Sequence, residues 1–129
     1  MARIKVSSAK AKGRALQQWV CQKISDALHI PWGRDDDYLI QSRPMGQIGT
    51  DVILKGTAKE LSPFSIECKS GEHWSIHEAI KQAKANQKDG TQWLVVLKNK
   101  GMKTPIVVLD SEFFFRVMAF IANDPGWPK

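Results

Sequence analysis

Apolar positions recur along this chain with two periods. From about Ser8 to Leu28, the residues Leu16, Trp19, Val20, Ile24, Ala27 and Leu28 fall at helical spacing and predict an amphipathic helix. Pro31 and Gly33 in HIPWGRDDD break that pattern. DYLIQS predicts a first strand, followed by the turn-rich loop RPMGQIGT. DVILKG and FSIECK predict a second and a third strand, paired as a hairpin through KGTAKELSP. Ser75 and Glu78 in SIHE form a capping box, so a second helix is expected from Ile76 to a stop at Asp89-Gly90. Its buried stripe would be Ile76, Ala79, Ile80 and Ala83. WLVVL (Trp93 to Leu97) and IVVL (Ile106 to Leu109) are continuous apolar runs, as in strands covered on both faces, and the basic KNKGMKT joins them. Asp110 or Ser111 caps a last helix, EFFFRVMAFIA, and the tail NDPGWPK lies outside the core.

The order is helix, three strands, helix, two strands, helix. It describes one α/β domain over residues 1–129, with a core of about 7–122 and a tail at 123–129. A mixed central sheet flanked by helices is expected, with a right-handed crossover from the third strand through the second helix to the fourth. No run is apolar enough to span a bilayer and no signal peptide is visible, which predicts a soluble, cytoplasmic protein with no membrane partner. Cys21 and Cys68 form no CxxC pair and read as reduced thiols packed in the core.

Charge adds a partner. Nineteen Lys and Arg against thirteen Asp and Glu give a formal net charge of +6 and a pI near 9.5. A small basic domain suits a polyanion, most often nucleic acid. Lys10, Lys12 and Arg14 at the start of the first helix, Arg43 in the loop before Asp51, and Lys81 and Lys84 on the second helix would flank a DNA strand. Lys98, Lys100 and Lys103 form a further basic loop whose relation to these the pattern leaves open.

The chemistry concentrates in SIECKSGEHW. Alternation sends Phe64, Ile66 and Cys68 to one face of the third strand and Ser65, Glu67 and Lys69 to the other. Asp51 opens the neighbouring strand. If the hairpin places it on the face of Glu67 and Lys69, two carboxylates and an ammonium converge. Carboxylates that close repel each other, so both stay ionised only around a cation. Oxygen ligands of this kind suit Mg²⁺, which uses one or two carboxylates plus substrate phosphate. A protonated lysine beside them would hold an attacking water or neutralise charge on a phosphoryl group. Metal, phosphate and water together describe phosphodiester hydrolysis.

GTDV (Gly49 to Val52) followed by IECK (Ile66 to Lys69) resembles the PD-(D/E)XK nuclease superfamily, most closely its small phage-type nucleases and Holliday junction resolvase-like endonucleases. The likeness covers roughly Ser7 to Asp110. It implies a restriction-endonuclease-like core, α-β-β-β-α-β-β-α, and a Mg²⁺- or Mn²⁺-dependent endodeoxyribonuclease. Carried over by residue, Asp51, Glu67 and the main-chain carbonyl of Cys68 would be metal ligands, and Lys69 the catalytic lysine. Gln82 resembles the glutamine placed on the following helix in support of the lysine or a phosphate. Thr50 stands where the name-giving proline often sits. Gln17, after Lys12-Gly13, stands where related resolvases carry a glutamate; it would orient a metal-bound water but adds no charge. The resemblance further implies branched, junction-like DNA as substrate and a homodimer, for which the Phe113-Phe114-Phe115 helix is the candidate interface.

Other readings use the same residues. A flap, nick-processing or restriction-type nuclease would share the fold, and a nucleic-acid-binding module that has lost catalysis would fit Gln17. His73 and His77 lie four apart, but the capping box separates them into loop and helix, which argues against zinc. Near a helix N-terminus, either histidine would contact phosphate instead, and His73 is counted among the DNA-binding candidates. RDDD (Arg34 to Asp37) lacks the glycine and distal glutamate of a calcium loop and reads as solvated. Trp74 is the tryptophan best placed to touch a base or a partner subunit.

Overall fold

A long helix, α1 (Val6–Leu28), opens the chain and buries Leu16, Val20 and Cys21 from its apolar stripe. The computed structural model describes residues 6–73 and 75–126. Two short strands follow α1, β1 (Trp32–Gly33) and β2 (Ile40–Ser42), and then β3 (Val52–Leu54). A short helix, α2 (Gly56–Leu61), leads into β4 (Phe64–Ser70), α3 (Ile76–Ala85), β5 (Gln92–Lys98), β6 (Ile106–Val108) and α4 (Ser111–Asn123). The strands form one open mixed sheet in the order β1-β2-β3-β4-β5-β6. β1 runs parallel to β2 and β4 parallel to β5, and the other pairs are antiparallel. This is a single α/β domain. Among the described residues no helix is long and apolar enough to cross a membrane.

Register decides what each face carries. Ile40 pairs with Leu54, and Val52 pairs with both Ser42 and Ile66. Paired residues share a face, so these side chains meet Leu16, Val20 and Cys21 of α1 in the larger core cluster, to which Cys68 and Leu94 add. The opposite face of β4 and β5 carries Ser65, Glu67 and Lys69 beside Trp93, Val95 and Leu97. There Ala79 and Ala83 of α3 pack on Trp93, Val95 and Leu97 in a second cluster. The alternation expected for β4 is therefore present, and it assigns Glu67 and Lys69 to the α3 face.

Both caps form. Ser75 Oγ accepts the N–H of Glu78 at 3.3 Å, and Asp110 Oδ1 accepts that of Phe113 at 3.2 Å. Cys21 and Cys68 are free thiols. Burial pushes the Cys21 thiol up to about 12 and raises Cys68 well above its ordinary value, as for thiols held neutral in a core.

Several expectations need correction. The hairpin connection is not a plain loop, because α2 occupies it and anchors there through the fully buried Ala58. β1 is an additional edge strand of two residues, too short for any periodic signal. α3 ends at Ala85 rather than at Asp89-Gly90. Thr91 Oγ1 donates to Lys88 O and Gln87 Nε2 to Thr91 O, both at 2.6 Å, so local side-chain bonds replace further helix. Ile76 stays 45% exposed and outside the buried stripe. β6 is not covered on both faces, since Ile106 and Val107 are 44% and 53% exposed. The helix that would cover it, α4, buries none of its own residues and touches the body through Phe113, edge-on to Phe64 at 5.3 Å. Trp74 lies outside the described residues.

The loop from Arg43 to Thr50 is shaped by glycine. Gly49 has φ +126°, and a Cβ there would stand 2.8 Å from the guanidinium of Arg43. Arg43 Nε donates to Thr50 O, so this guanidinium is not free to move aside. Gly46, at φ +86°, faces open space. Gly46→Ala should therefore cost only the backbone conformation, about 1 kcal/mol. Gly49→Ala should cost about 2–3 kcal/mol through conformation and clash together. Urea denaturation of the two variants compares them directly, and equal losses would mean that Arg43 does not brace the loop.

Candidate active site

Asp51 is held between two strands by its backbone. Its N–H donates to Ile66 O at 3.0 Å, and its C=O accepts the N–H of Arg43 at 2.9 Å. The β3–β4 ladder has one paired position, Val52 with Ile66. Beyond it the Asp51 side chain takes over, and Oδ2 accepts the N–H of Cys68 at 2.7 Å. A strand residue turns its N–H and C=O to the same edge, so the Cys68 carbonyl also faces Asp51.

Glu67 sits at the floor of the site. It is 3% exposed, whereas Asp51 and Lys69 are half-buried at the rim. Its carboxyl lies within hydrogen-bonding reach of Asp51, and Asn86 Nδ2 donates to Oε2 at a long 3.5 Å. Burial, and next the charge of Asp51, push Glu67 up to about 7, while Asn86 and Lys69 pull the other way. Burial also raises Asp51, against the Cys68 N–H first and then the charge of Lys69. A hydrogen bond between two carboxyls requires one proton. Burial raises both acids, so the pair shares that proton between Asp51 and Glu67.

The pair that the sequence predicted across the hairpin is therefore together, with Lys69 close enough for its charge to act on both carboxyls. The donors are all oxygens, namely two carboxylates and the Cys68 carbonyl, and such a set suits a hard cation such as Mg²⁺ or Mn²⁺. An ion there would take the place of the shared proton. Among the described residues no group of three or more His, Cys, Asp and Glu that could together hold a metal ion is present, so remaining coordination would fall to water or phosphate. His73 and His77 are both exposed.

Gln17 is buried at 4% exposure, but its side chain is engaged elsewhere. Oε1 accepts from Ser42 Oγ at 3.0 Å, and Nε2 lies 4.0 Å from Met45 Sδ. Ser42 stands on the α1 face, so Gln17 ties α1 to β2 rather than reaching the carboxyls. Gln82 is exposed on α3. Arg43 is half-buried and spends donors on Thr50 O and Asp51 O, as a brace more than as a DNA contact. Lys10, Lys12 and Arg14 on α1 and Lys81 and Lys84 on α3 are exposed on opposite sides of the sheet, and Lys84 Nζ lies 5.7 Å from the Trp93 ring.

Asn86 is the site residue that sequence reasoning missed. It continues the buried stripe, seven residues after Ala79 and three after Ala83, and that spacing would have found it. Ser65 holds its turn in place, accepting the N–H of Lys88 at 3.0 Å and bonding Thr91 Oγ1 at 2.7 Å. No protein-family model, curated protein or solved structure matches the chain.

The raised Glu67 makes the metal-free fold pH-sensitive. A carboxyl that titrates near 4.5 when unfolded and near 7 when folded stabilises the fold below 4.5, and this contribution is lost as pH rises through 7. The groups facing it are Asp51, Lys69 and Asn86. In EDTA, Tm should fall between pH 5 and 8, and Glu67→Gln should flatten that slope. A wild-type slope equal to that of Glu67→Gln would mean that Glu67 is not held protonated.

Proposed function

We propose that the chain is a Mg²⁺- or Mn²⁺-dependent DNA endonuclease of the kind that its GTDV and IECK segments resemble. The observation that carries this reading is the contact between the Asp51 and Glu67 carboxyls beside Lys69, with Asp51 oriented by the Cys68 N–H. A buried pair of acids that must share a proton costs stability, and it fits a site in which a hard cation is the intended partner.

Asp51, Glu67 and the Cys68 carbonyl would hold the ion, which when bound supplies Lewis acidity at a phosphoryl oxygen. The chain does the rest. Lys69, at the rim on the same face, holds the attacking water or meets the negative charge that builds on the phosphoryl oxygens. Asn86 orients Glu67 from below. Arg43 keeps the Asp51 backbone in register, so that the carboxylate cannot swing away. Exposed lysines on α1 and α3 supply the field that draws a phosphate backbone towards this edge.

Branched DNA is the proposed substrate, with two copies of the chain placing sites on opposite strands. Support for the homodimer comes from α4, where Phe115, Met118 and Phe120 remain 60%, 46% and 81% exposed, and from the exposed strand β6. A second reading, a binding module without catalysis, is favoured by Gln17, whose engagement with Ser42 leaves the site with two carboxylates.

A labelled four-way junction incubated with Mg²⁺ or EDTA separates these readings. Cleavage should require the metal and fall by about 10²–10³ in Lys69→Ala and Asp51→Asn. It should fall by about tenfold in Asn86→Ala, with junction binding in EDTA retained. Metal-independent binding with no cleavage would establish the inactive module, and equal cleavage by Lys69→Ala would place the chemistry elsewhere.

A further inference from the structure

A hollow of about 410 Å³ opens between α1 and the loop that joins β5 to β6. Lys12 enters its wall from α1, Lys98 from the end of β5, and Lys100 and Lys103 from the loop. Among the described residues Glu72 is the one carboxylate there, outnumbered four to one. The floor is apolar, made by Leu16, Trp19 and Pro105.

Trp19 is 41% exposed and borders both this hollow and an adjoining apolar groove. Lys23, whose Nζ lies 5.4 Å from the indole centroid, lines only the groove. The indole thus borders the hollow on a side that Lys23 does not line. Asn99 also lines it; its Oδ1 accepts the N–H of Gly101 at 3.0 Å, which leaves the amide NH₂ to donate.

Each feature narrows the occupant. An apolar ligand would leave four ammonium groups crowded with Glu72 alone as counter-charge. A bare inorganic anion would leave the indole and the apolar floor unused. A nucleotide uses both, since its base stacks on an aromatic face and its phosphates neutralise lysines. The volume also lies in the ordinary range for small-molecule sites, about 300–1,000 Å³.

The place of the hollow identifies the strand. Ser70, in its wall, directly follows Lys69. Gly71 forms the rim: its N–H donates to Lys98 O at 3.1 Å, φ is +142°, and a Cβ there would meet nothing within 4 Å. The acidic pair lies on the α3 face of the sheet, and the hollow adjoins α1. A chain reaching both must bend over this low rim, which single-stranded DNA does readily and stacked duplex does not. We propose that the hollow binds an unpaired nucleotide of the strand being cut, so that a single-stranded arm beside the scissile phosphate is part of the recognised substrate. The placement of the cut rests on the nuclease reading; the binding of the strand does not.

The test measures binding to the full chain in EDTA, by fluorescence anisotropy of a short labelled oligothymidylate and of a paired duplex. Trp19→Ala should weaken oligothymidylate binding about tenfold and leave the duplex unchanged, and Trp19→Phe should keep most of the affinity. Replacing Lys98, Lys100 and Lys103 together by Ala should reduce the salt dependence of single-strand binding by about two counterions. If Trp19→Ala fails to fold by circular dichroism, the lysine triple variant decides. Unchanged single-strand binding in Trp19→Ala or in the lysine triple variant, or equal losses on single strand and duplex, overturns the proposal. Metal-dependent cleavage that persists alongside such a result leaves the nuclease standing without the hollow, whereas the expected binding pattern without cleavage leaves the hollow standing without the nuclease.

Discussion

The 2.7 Å bond from the Cys68 N–H to the Asp51 carboxylate is the constraint on which the site depends. It closes the β3–β4 junction where the backbone ladder stops, and in doing so fixes an acid against the acid of Glu67. Water cannot separate the two charges, because Glu67 is buried by α3 and by the strands on either side. The arrangement therefore carries a standing electrostatic conflict, relieved by a proton or by a cation.

The two faces of the sheet divide the work. On the α1 face, Ile40, Val52, Ile66 and Val96 pack with Leu16, Val20 and Cys21 into the larger core, and this packing holds β3 and β4 in register. On the α3 face, small residues of the helix, Ala79 and Ala83, let it lie close to β5 and bring Asn86 to Glu67. The basic residues do not form one patch. Lys12 of α1 and the lysines at the end of β5 and in the β5–β6 loop surround a hollow with an indole in its floor, and those of α3 stand on the other side. The bare Gly71 rim lies between, and in the proposed reading a flexible polyanion crosses it.

Much of this was legible in the chain itself. Alternation in FSIECK assigned the faces of β4, and the SIHE capping box located the start of α3. A strand-initial aspartate, one hairpin before Glu67, indicated that acids would meet. The parts that were not legible have physical reasons. β1 and α2 are too short to show periodicity, and both are set by tertiary contacts, such as Ala58 against the core. The run IVVL reads as buried because apolarity does not distinguish a covered strand from one awaiting a partner. Gln17 kept its place near the buried stripe, yet only coordinates reveal that Ser42 claims its oxygen. Asn86 was hidden by the assumption that α3 continued past it, although its spacing from Ala83 placed it on the inward side.

The most direct test of the central claim is the binding of Mn²⁺ to metal-free protein, followed by calorimetry near pH 7 in buffers of different ionisation enthalpy. The account predicts saturable binding accompanied by release of up to about one proton, as the ion displaces the proton shared by Asp51 and Glu67. It also predicts loss of that binding in both Asp51→Asn and Glu67→Gln. Binding of equal strength in the two variants, or no binding by the native chain, would contradict it.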